Sequence, residues 1–433
     1  MTRMKESGID WIGQIPEEWE VRPIKNIVET PVTDGPHETP VLYETGIPFL
    51  SAEAVKDGIL DFNYKRGYIS LRDHERFKKK VSPKKDDIFI VKSGATTGNV
   101  GIVTTDEIFD IWSPLALIRN TKIVAIQKYI YFYLLSTIFK AQVEFNWSFG
   151  TQQNIGMGVI ERIKVILPPV SEQQKIVEVL DKKTAQLDKA KVLLEEQIQK
   201  LKDYRASLIY ETVTKGLDKT VPLKDSGIDW IGQVPEGWGV KRLKDYVDFQ
   251  TGTTPPQSIG VNQERKGVCW FKPGDFSDES IDLTSAENYI TSEIVNQQKL
   301  SVYPEKTILV VGIASIGKVG YSENSSYSNQ QITALKVIGQ IFPKYLAYFM
   351  FSSGQYIRET ALYTVVPIIN NQYLSSLKIV LPNLEEQESI VEYLDRQIMQ
   401  INKMIVIKNE QIKNINKQRQ TLIYDYVTGK RRV

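Results

Sequence analysis

Gly312-Ile313-Ala314-Ser315-Ile316-Gly317-Lys318 nearly spells a phosphate-binding loop, and it follows the apolar run Ile308 to Val311. Such a loop needs a Ser or Thr after its Lys to ligate Mg²⁺, and a helix whose N-terminus faces the phosphates. Val319 stands where the hydroxyl should be and Gly320 works against the helix, so nucleotide binding is not expected. His37 and His74 are the only two His, and Cys269 is the one Cys, which leaves no plausible ligand set for a metal and no Cys–His pair for covalent catalysis. Glu264-Arg265-Lys266 after Asp248 imitates a nuclease spacing that arises freely by chance. The chain has no Asn/Asp-Pro-Pro-aromatic tetrapeptide for amino-methylation and no Gly-rich S-adenosylmethionine loop. The expectation is a protein without catalysis, metal or cofactor of its own.

What remains are side chains suited to touching DNA. The densest basic stretch, Arg72 to Lys85, holds seven Lys/Arg against two acids, with Arg76, Lys78, Lys79 and Lys80 at its centre. Cations of this kind hold phosphates and carry no sequence information. Base reading needs Arg, Lys, amide or hydroxyl side chains on loops that reach a groove. In the first half of the chain the candidates are Lys92, Ser93, Thr96, Thr97 and Asn99 on one Gly-containing loop, then Ser148, Thr151, Gln152, Gln153 and Asn154 on another. Amides on that second loop suit adenine. In the second half they are Thr253, Thr254, Gln257, Lys272, Ser315, Lys318, Asn329, Gln330, Gln331, Asn370 and Asn371. The competing role for each is to satisfy a turn or cap a strand.

Those loops are carried by a duplicated frame. Ser7 to Trp19 returns as Ser226 to Trp238 with eleven of thirteen positions identical. In each copy there follow an apolar strand (Ile88 to Val91; Ile308 to Val311), a Gly-rich turn, an aromatic helix (Lys128 to Ser136; Lys344 to Ser352) and a strand ending in Pro168 or Pro382. A long helix closes each copy. In residues 171–215, which hold no internal Gly or Pro, Leu180, Leu187, Leu194, Leu201 and Leu208 fall seven apart, with Val177 and Ile198 beside them. Val391, Leu394, Ile398, Ile401, Ile405, Ile412, Ile415 and Leu422 form the matching seam in the second copy. Each is an a/d stripe on a rod of roughly 65 Å, and neither buries its stripe alone, so the two are expected to pack on each other. Ser171 with Gln174, and Asn383 with Glu386, fit capping boxes, and Trp11, Trp19, Trp230 and Trp238 read as packing anchors. Lys191, Arg205, Lys408 and Arg419 interrupt the seams. The fold class is α+β: two similar α/β globules separated by two long antiparallel coiled-coil helices in a pseudo-two-fold repeat. The expected division is 1–170, helix 171–215, linker 216–225, 226–382, helix 383–428 and a basic tail 429–433.

Composition is compatible with several functions. The 433 residues are 42% hydrophobic and 24% charged, with a net charge of only +2, so any DNA contact is local. One Cys and no apolar leader at the N-terminus fit a reducing cytoplasm. Ile123 to Phe139 is too short and too polar to span a bilayer.

The chain resembles, over nearly its whole length, the specificity subunit of type I restriction-modification enzymes. The likeness is carried by Gly8-Ile9-Asp10-Trp11-Ile12-Gly13 with Pro16 and Trp19, by Asp34-Gly35-Pro36-His37 leading to Gly46-Ile47-Pro48-Phe49-Leu50, and by Thr251-Gly252-Thr253-Thr254-Pro255-Pro256 leading to Trp270 and Asp275. Leu167-Pro168-Pro169 with Glu172-Gln173, and Leu381-Pro382 with Glu386-Gln387, complete the ordered set. The first half departs from it in having Trp112-Ser113-Pro114 near the place of Asn329-Gln330-Gln331. The resemblance implies two target-recognition domains for an asymmetric, bipartite site in double-stranded DNA, and a helix pair that sets their spacing. It implies two modification subunits carrying S-adenosylmethionine for adenine methylation, and restriction subunits using ATP and Mg²⁺. Two alternatives stand beside it: a fused methyltransferase or nuclease, and a non-catalytic coiled-coil adaptor joining two ligand-binding globules.

Overall fold

In the computed structural model, residues 3–9, 12–120, 123–146, 148–149, 153–254, 267–297, 300–361 and 368–433 are described. They form two compact units, Met1–Leu194 with Glu410–Val433, and Glu195–Asn409. Each unit is an α/β globule carrying a segment of both long helices.

The centre of the first globule is the strand Ile88–Val91, all of it buried. A run of β-branched and aromatic residues with no polar alternation belongs in a strand covered on both faces. It lies between Leu115–Ile118 and Val100–Ile102 in a sheet ordered Thr33–Asp34, Leu115–Ile118, Ile88–Val91, Val100–Ile102, Ile59–Leu60, Val55–Lys56. A second sheet runs Asp110–Ile111, Ile47–Leu50, Gly67–Ile69, its first pair parallel. In the second globule Thr307–Val311, again fully buried, sits between Ile332–Val337 and Val319–Ser322, with Val247–Thr251 at the edge. Its second sheet runs Asn288–Ile290, Val268–Phe271, Ser326–Ser328, with the last two parallel. Order and sense of the shared strands therefore repeat even where the sequences have diverged, and the parallel pairing of Ile59 with Ile102 has its match in the bridge between Asp282 and Tyr321.

The aromatic helices Gln127–Leu135 and Pro343–Ser352 pack inside these sheets, and one hydrogen bond repeats between copies. Tyr129 Oη donates to the Ile166 carbonyl and Tyr345 Oη to the Val380 carbonyl, both at 2.9 Å. A second repeated device joins globule to rod. Gln173, fully buried, accepts the Ile126 N–H at 2.8 Å and donates to the Pro168 and Val124 carbonyls. Gln387 accepts the Phe342 N–H at 2.8 Å and donates to Pro382 at 2.9 Å. Beside them Trp19 Nε1 donates to Glu172, and Trp238 Nε1 to Glu386. Trp19 and Trp238 are thus packed anchors at the joint; Trp230 stacks on Tyr356 at 5.7 Å, and Trp11 lies outside the described residues.

The long helices run Val170–Lys215 and Leu384–Val427. They are antiparallel within each unit: Asp188 faces Arg419 in the first, while Gln197 faces Lys408 and Arg205 faces Asn402 in the second. The seam cations thereby find partners, Lys191 pairing with Asp57 at 3.9 Å and Arg205 adding Glu279 at 3.3 Å. Burial of the seam is uneven. Val177, Leu180, Val391, Leu394, Ile398 and Ile401 are buried, with Ile198 at 9% exposure, whereas Leu187, Leu194, Leu201, Leu208, Ile405, Ile412, Ile415 and Leu422 are half-buried. Two helices alone cover one side of an a/d stripe; where a globule adds a second wall the stripe closes. The first capping box does not form, because Ser171 already lies inside the helix. Asn383 does cap the second helix by accepting the Glu386 N–H at 2.9 Å, but the Glu386 side chain turns to Trp238 instead of closing the box. Gly216 ends the first helix at φ +70°, where a Cβ would lie 3.1 Å from the Trp238 ring.

Replacing Gln173 with Leu keeps the volume but orphans one buried N–H and two carbonyls. It is expected to cost the first unit about 3 kcal/mol, seen as lost hydrogen-exchange protection over Gln127–Leu135 with protection of Pro343–Ser352 unchanged.

Candidate nucleic-acid interface

The two candidate loops of the first globule form one surface. The strand Ile88–Val91 ends in a turn closed by Val91 N–H to Asn99 O at 2.8 Å and Gly98 N–H to Val91 O at 2.7 Å. Gly94 and Gly98 take positive φ there (102° and 89°), where a Cβ is disfavoured. The segment around residue 154 then docks on the turn. Ile155 N–H donates to Lys92 O at 2.8 Å, Gly94 N–H donates to Gln153 O at 3.1 Å, and Ser93 bridges Asn154. Thr97 is buried and its hydroxyl binds the Gly94 and Gln153 carbonyls, so it locks the turn. Thr96, Asn99, Gln153 and Asn154 are exposed on it. Ser148 lies in the strand Ser148–Phe149, which pairs with Gln153–Asn154; Thr151 and Gln152 lie outside the described residues.

Beneath this surface sits a charge hub that motif reasoning missed. Asp34 is fully buried, and its carboxylate meets Lys80 Nζ at 2.6 Å, Lys92 Nζ at 2.7 Å and His37 Nε2 at 3.1 Å. Lys80 also donates to Gly35 O at 2.8 Å. Burial pushes the Asp34 carboxyl up, but the bonds and charges of Lys80 and Lys92 outweigh it and hold it below the ordinary range. The only signal for the hub was Asp34-Gly35-Pro36-His37, noticed as a landmark and not as chemistry. Lys80 and Lys92 are therefore oriented by Asp34 rather than loose.

The basic stretch is also more paired than its composition suggests. On the helix Leu71–Phe77 and just after it, Arg76 meets Asp73 and Glu38, Lys78 meets Glu75, and Lys85 meets Asp106. Among the described residues Arg72, Lys79 and Lys84 have no ion pair and are exposed. His74 Nδ1 lies 2.6 Å from the fully buried Asp110, whose carboxyl burial raises despite the His contact.

The second globule repeats the frame with other side chains. Val311 N–H donates to Lys318 O, Gly317 N–H to Val311 O and Ile369 N–H to Gly312 O. Gly312 N–H donates to Gln331 O just as Lys92 N–H donates to Pro114 O. Gly312 therefore occupies the place of Lys92, and Gln331 that of Pro114, so Trp112-Ser113-Pro114 is the positional counterpart of Asn329-Gln330-Gln331. Gln330, Gln331, Asn370 and Asn371 line one groove together with Thr251, Thr333 and Gln372. Thr254 bonds to Gln330, and Thr253 to Tyr327 Oη. Lys318 is held by the Phe276 carbonyl at 3.2 Å and by Asp278, and its turn runs into the strand Val319–Ser322. Ser315 is half-buried in that turn. Lys272 lies over the Trp270 ring at 4.7 Å, away from the groove's lining. Gln257 lies outside the described residues. Among the described residues no group of three or more His, Cys, Asp or Glu is placed to hold a metal, and no helix is long and apolar enough to cross a membrane.

A duplicated α/β frame on a helix pair, with unlike polar surfaces at equivalent turns, defines a modular DNA-specificity protein. The chain belongs to the type I restriction-modification DNA specificity family, whose domain model matches residues 16–201 and 235–415. Among relatives, a putative type I restriction enzyme MjaX specificity subunit from Methanocaldococcus jannaschii is 27% identical over 432 residues, spanning 98% of this chain and 96% of its own. The type I restriction enzyme EcoBI specificity subunit from Escherichia coli is 24% identical over 332 residues, 72% of this chain and 69% of its own. In fold the chain is similar to one in a structure on complex assembly and conformational transition of the type I R-M system (TM-score 0.71, 16% identity, 96% of this chain and 99% of the other). It is also similar to the HsdS subunit from Thermoanaerobacter tengcongensis (TM-score 0.50, 17% identity, covering 96% and 98%).

Asp34→Asn tests the hub. A carboxyl held below its unfolded value, about 4, stabilises the fold fully above that value and loses its contribution as pH falls through the lower native one. The variant is expected to cost the first unit about 2 kcal/mol at pH 7, reduced from a fully buried pair because Lys80 is partly solvated. The gap from wild type, read by thermal unfolding, should close as pH falls below about 4.

Proposed function

We propose that each globule reads one half of an asymmetric bipartite DNA site, and that the helix pair sets the distance between the halves and docks two modification subunits. The observation that carries this is the pairing of a duplicated frame with unlike surfaces: Lys92, Lys80 and Asp34 around one turn, Gln330, Gln331 and Asn371 around its equivalent. A frame whose central strands repeat in order and sense is what exchange of readers on one scaffold requires. The chain supplies the address and no chemistry. Adenine methylation with S-adenosylmethionine belongs to the modification subunits, and ATP- and Mg²⁺-dependent cleavage to restriction subunits. Arg72, Lys79 and Lys84 hold phosphates, so each Lys→Ala change there is expected to weaken binding on every sequence and lower the salt slope by about 1.

Two exchanges test the division of labour in the assembled complex. Replacing residues 30–160 by the matching stretch of a relative is expected to change one half-site and leave the other; a change in both or in neither contradicts the model. Inserting one heptad after Leu194, with its match in the second helix, is expected to alter the gap between unchanged half-sites. Absence of salt-sensitive duplex binding by the assembled complex would instead favour a non-DNA adaptor.

A further inference from the structure

The second globule touches its rod a second time, away from the joint. The loop after Phe276 carries Glu279, whose Oε1 lies 2.6 Å from Lys202 Nζ and whose Oε2 accepts from the Arg205 guanidinium at 3.3 Å. Lys202 and Arg205 stand three apart on the helix Val170–Lys215, and so on one face. Arg205 is buried, and it also donates to Asn402 of the facing helix, so one guanidinium joins both long helices to the loop. The hydrogen bond from Lys202 holds the Glu279 carboxyl below the ordinary range; burial works against it and Arg205 adds to it. The joint lies further along the same helix, where Ile209 and Val213 pack under the globule with Trp238. From Arg205 to Val213 the helix rises about 12 Å, so the two anchor points are separate.

The loop is stiff. Phe276 is buried at its start with its ring edge-on to Phe271 at 6.4 Å. At its other end Tyr321 N–H donates to Ile281 O at 2.6 Å and Leu283 N–H to Tyr321 O at 3.0 Å. The Ser277 hydroxyl accepts the Glu279 N–H at 2.9 Å. The same loop holds the reading turn, because Lys318 donates to the Phe276 carbonyl and lies 3.2 Å from Asp278. Gly312 and Ile313 of that turn line the polar groove. Contacts therefore run from the groove wall through Lys318 and the loop to the rod.

The first unit uses the equivalent loop in the same way with other residues. Asp57, at the tip of the hairpin Val55–Lys56/Ile59–Leu60, faces Lys191 of the rod at 3.9 Å. Ile102 N–H donates to Gly58 O there, as Tyr321 N–H donates to Ile281 O in the second globule. An acid on this loop facing a cation on the rod recurs although the surrounding sequence does not.

A body pinned at one joint can pivot, and one pinned at two points has a single direction. One base pair displaces a half-site by about 3.4 Å and turns it by about 35°. A fixed gap therefore needs a globule that neither tilts nor turns on its rod. We infer that Glu279 is a positioning residue: it ties the reading turn of the second globule to the rod and so restricts the complex to one gap between half-sites. This deepens the proposed role of the helix pair in setting that distance and rests on it.

Glu279→Lys sets a cation against Lys202 and Arg205 at a side chain that is half exposed. The full chain, assembled with its modification subunit, is given duplexes carrying its two half-sites at the wild-type gap and at gaps shorter or longer by a base pair, and adenine methylation is read on each. The wild-type complex is expected to use one gap. In the variant the preference for that gap over its neighbours should fall at least about fivefold, the worth of one partly exposed pair, with both half-sites unchanged. Adding Lys202→Glu returns opposite charges and is expected to restore the strict gap. A loop that merely stabilised the globule would lower methylation at every gap alike. That result, an unchanged gap preference, or a relaxed one that Lys202→Glu does not recover overturns the inference. A wild-type complex that methylates several gaps equally overturns the ruler role itself, which keeps the two failures apart.

Discussion

Everything in each unit hangs on the joint where a buried glutamine, Gln173 or Gln387, ties the start of a long helix to the start of an aromatic helix. A buried amide is tolerated only when its oxygen and amino group are both bonded, and here they hold the Ile126 or Phe342 N–H on one side and the Pro168 or Pro382 carbonyl on the other. The adjoining Trp–Glu bonds, from Trp19 to Glu172 and from Trp238 to Glu386, fix the first turn of each rod against its globule. A reading surface on a sheet turn has a defined direction only if that joint is stiff. That requirement explains why the Glu-Gln pair recurs where most of the globule sequence does not.

With the joint fixed, the reading turns are free to differ. At one place in the frame the first globule puts Lys92, oriented with Lys80 by the buried Asp34; at the same place the second puts Gly312, and amides carry the polar surface instead. Oriented cations and oriented amides recognise different partners. In both cases the contacting group is constrained by an internal partner, Asp34 in one and Asn329, Thr254 or Thr333 in the other.

The architecture was legible because it rests on repetition and periodicity. Heptad leucines, the duplicated Ser7 to Trp19 block and the Glu-Gln pairs located both rods and both globules. Strand order was not legible, since Asp110–Ile111 pairing parallel with Ile47–Leu50 is a long-range choice that no local pattern encodes. The candidate residues could be chosen by type from the sequence, but their geometry could not. Lys80 reads as a free cation until Asp34 is found 46 residues away, and Gln331 reads as a freely turning amide until Asn329 is seen to hold its oxygen. Seam burial was overestimated in mid-rod for a related reason: heptad spacing says which face is apolar, not how many neighbours cover it.

The central claim is that one chain carries two unlike readers on one repeated frame. It is tested most directly by mapping adenine methylation on DNA exposed to the assembled complex. The account predicts a single asymmetric motif, two different specified halves separated by a gap of fixed length and free sequence. A palindromic motif, a single continuous one, or methylation without sequence preference would contradict it.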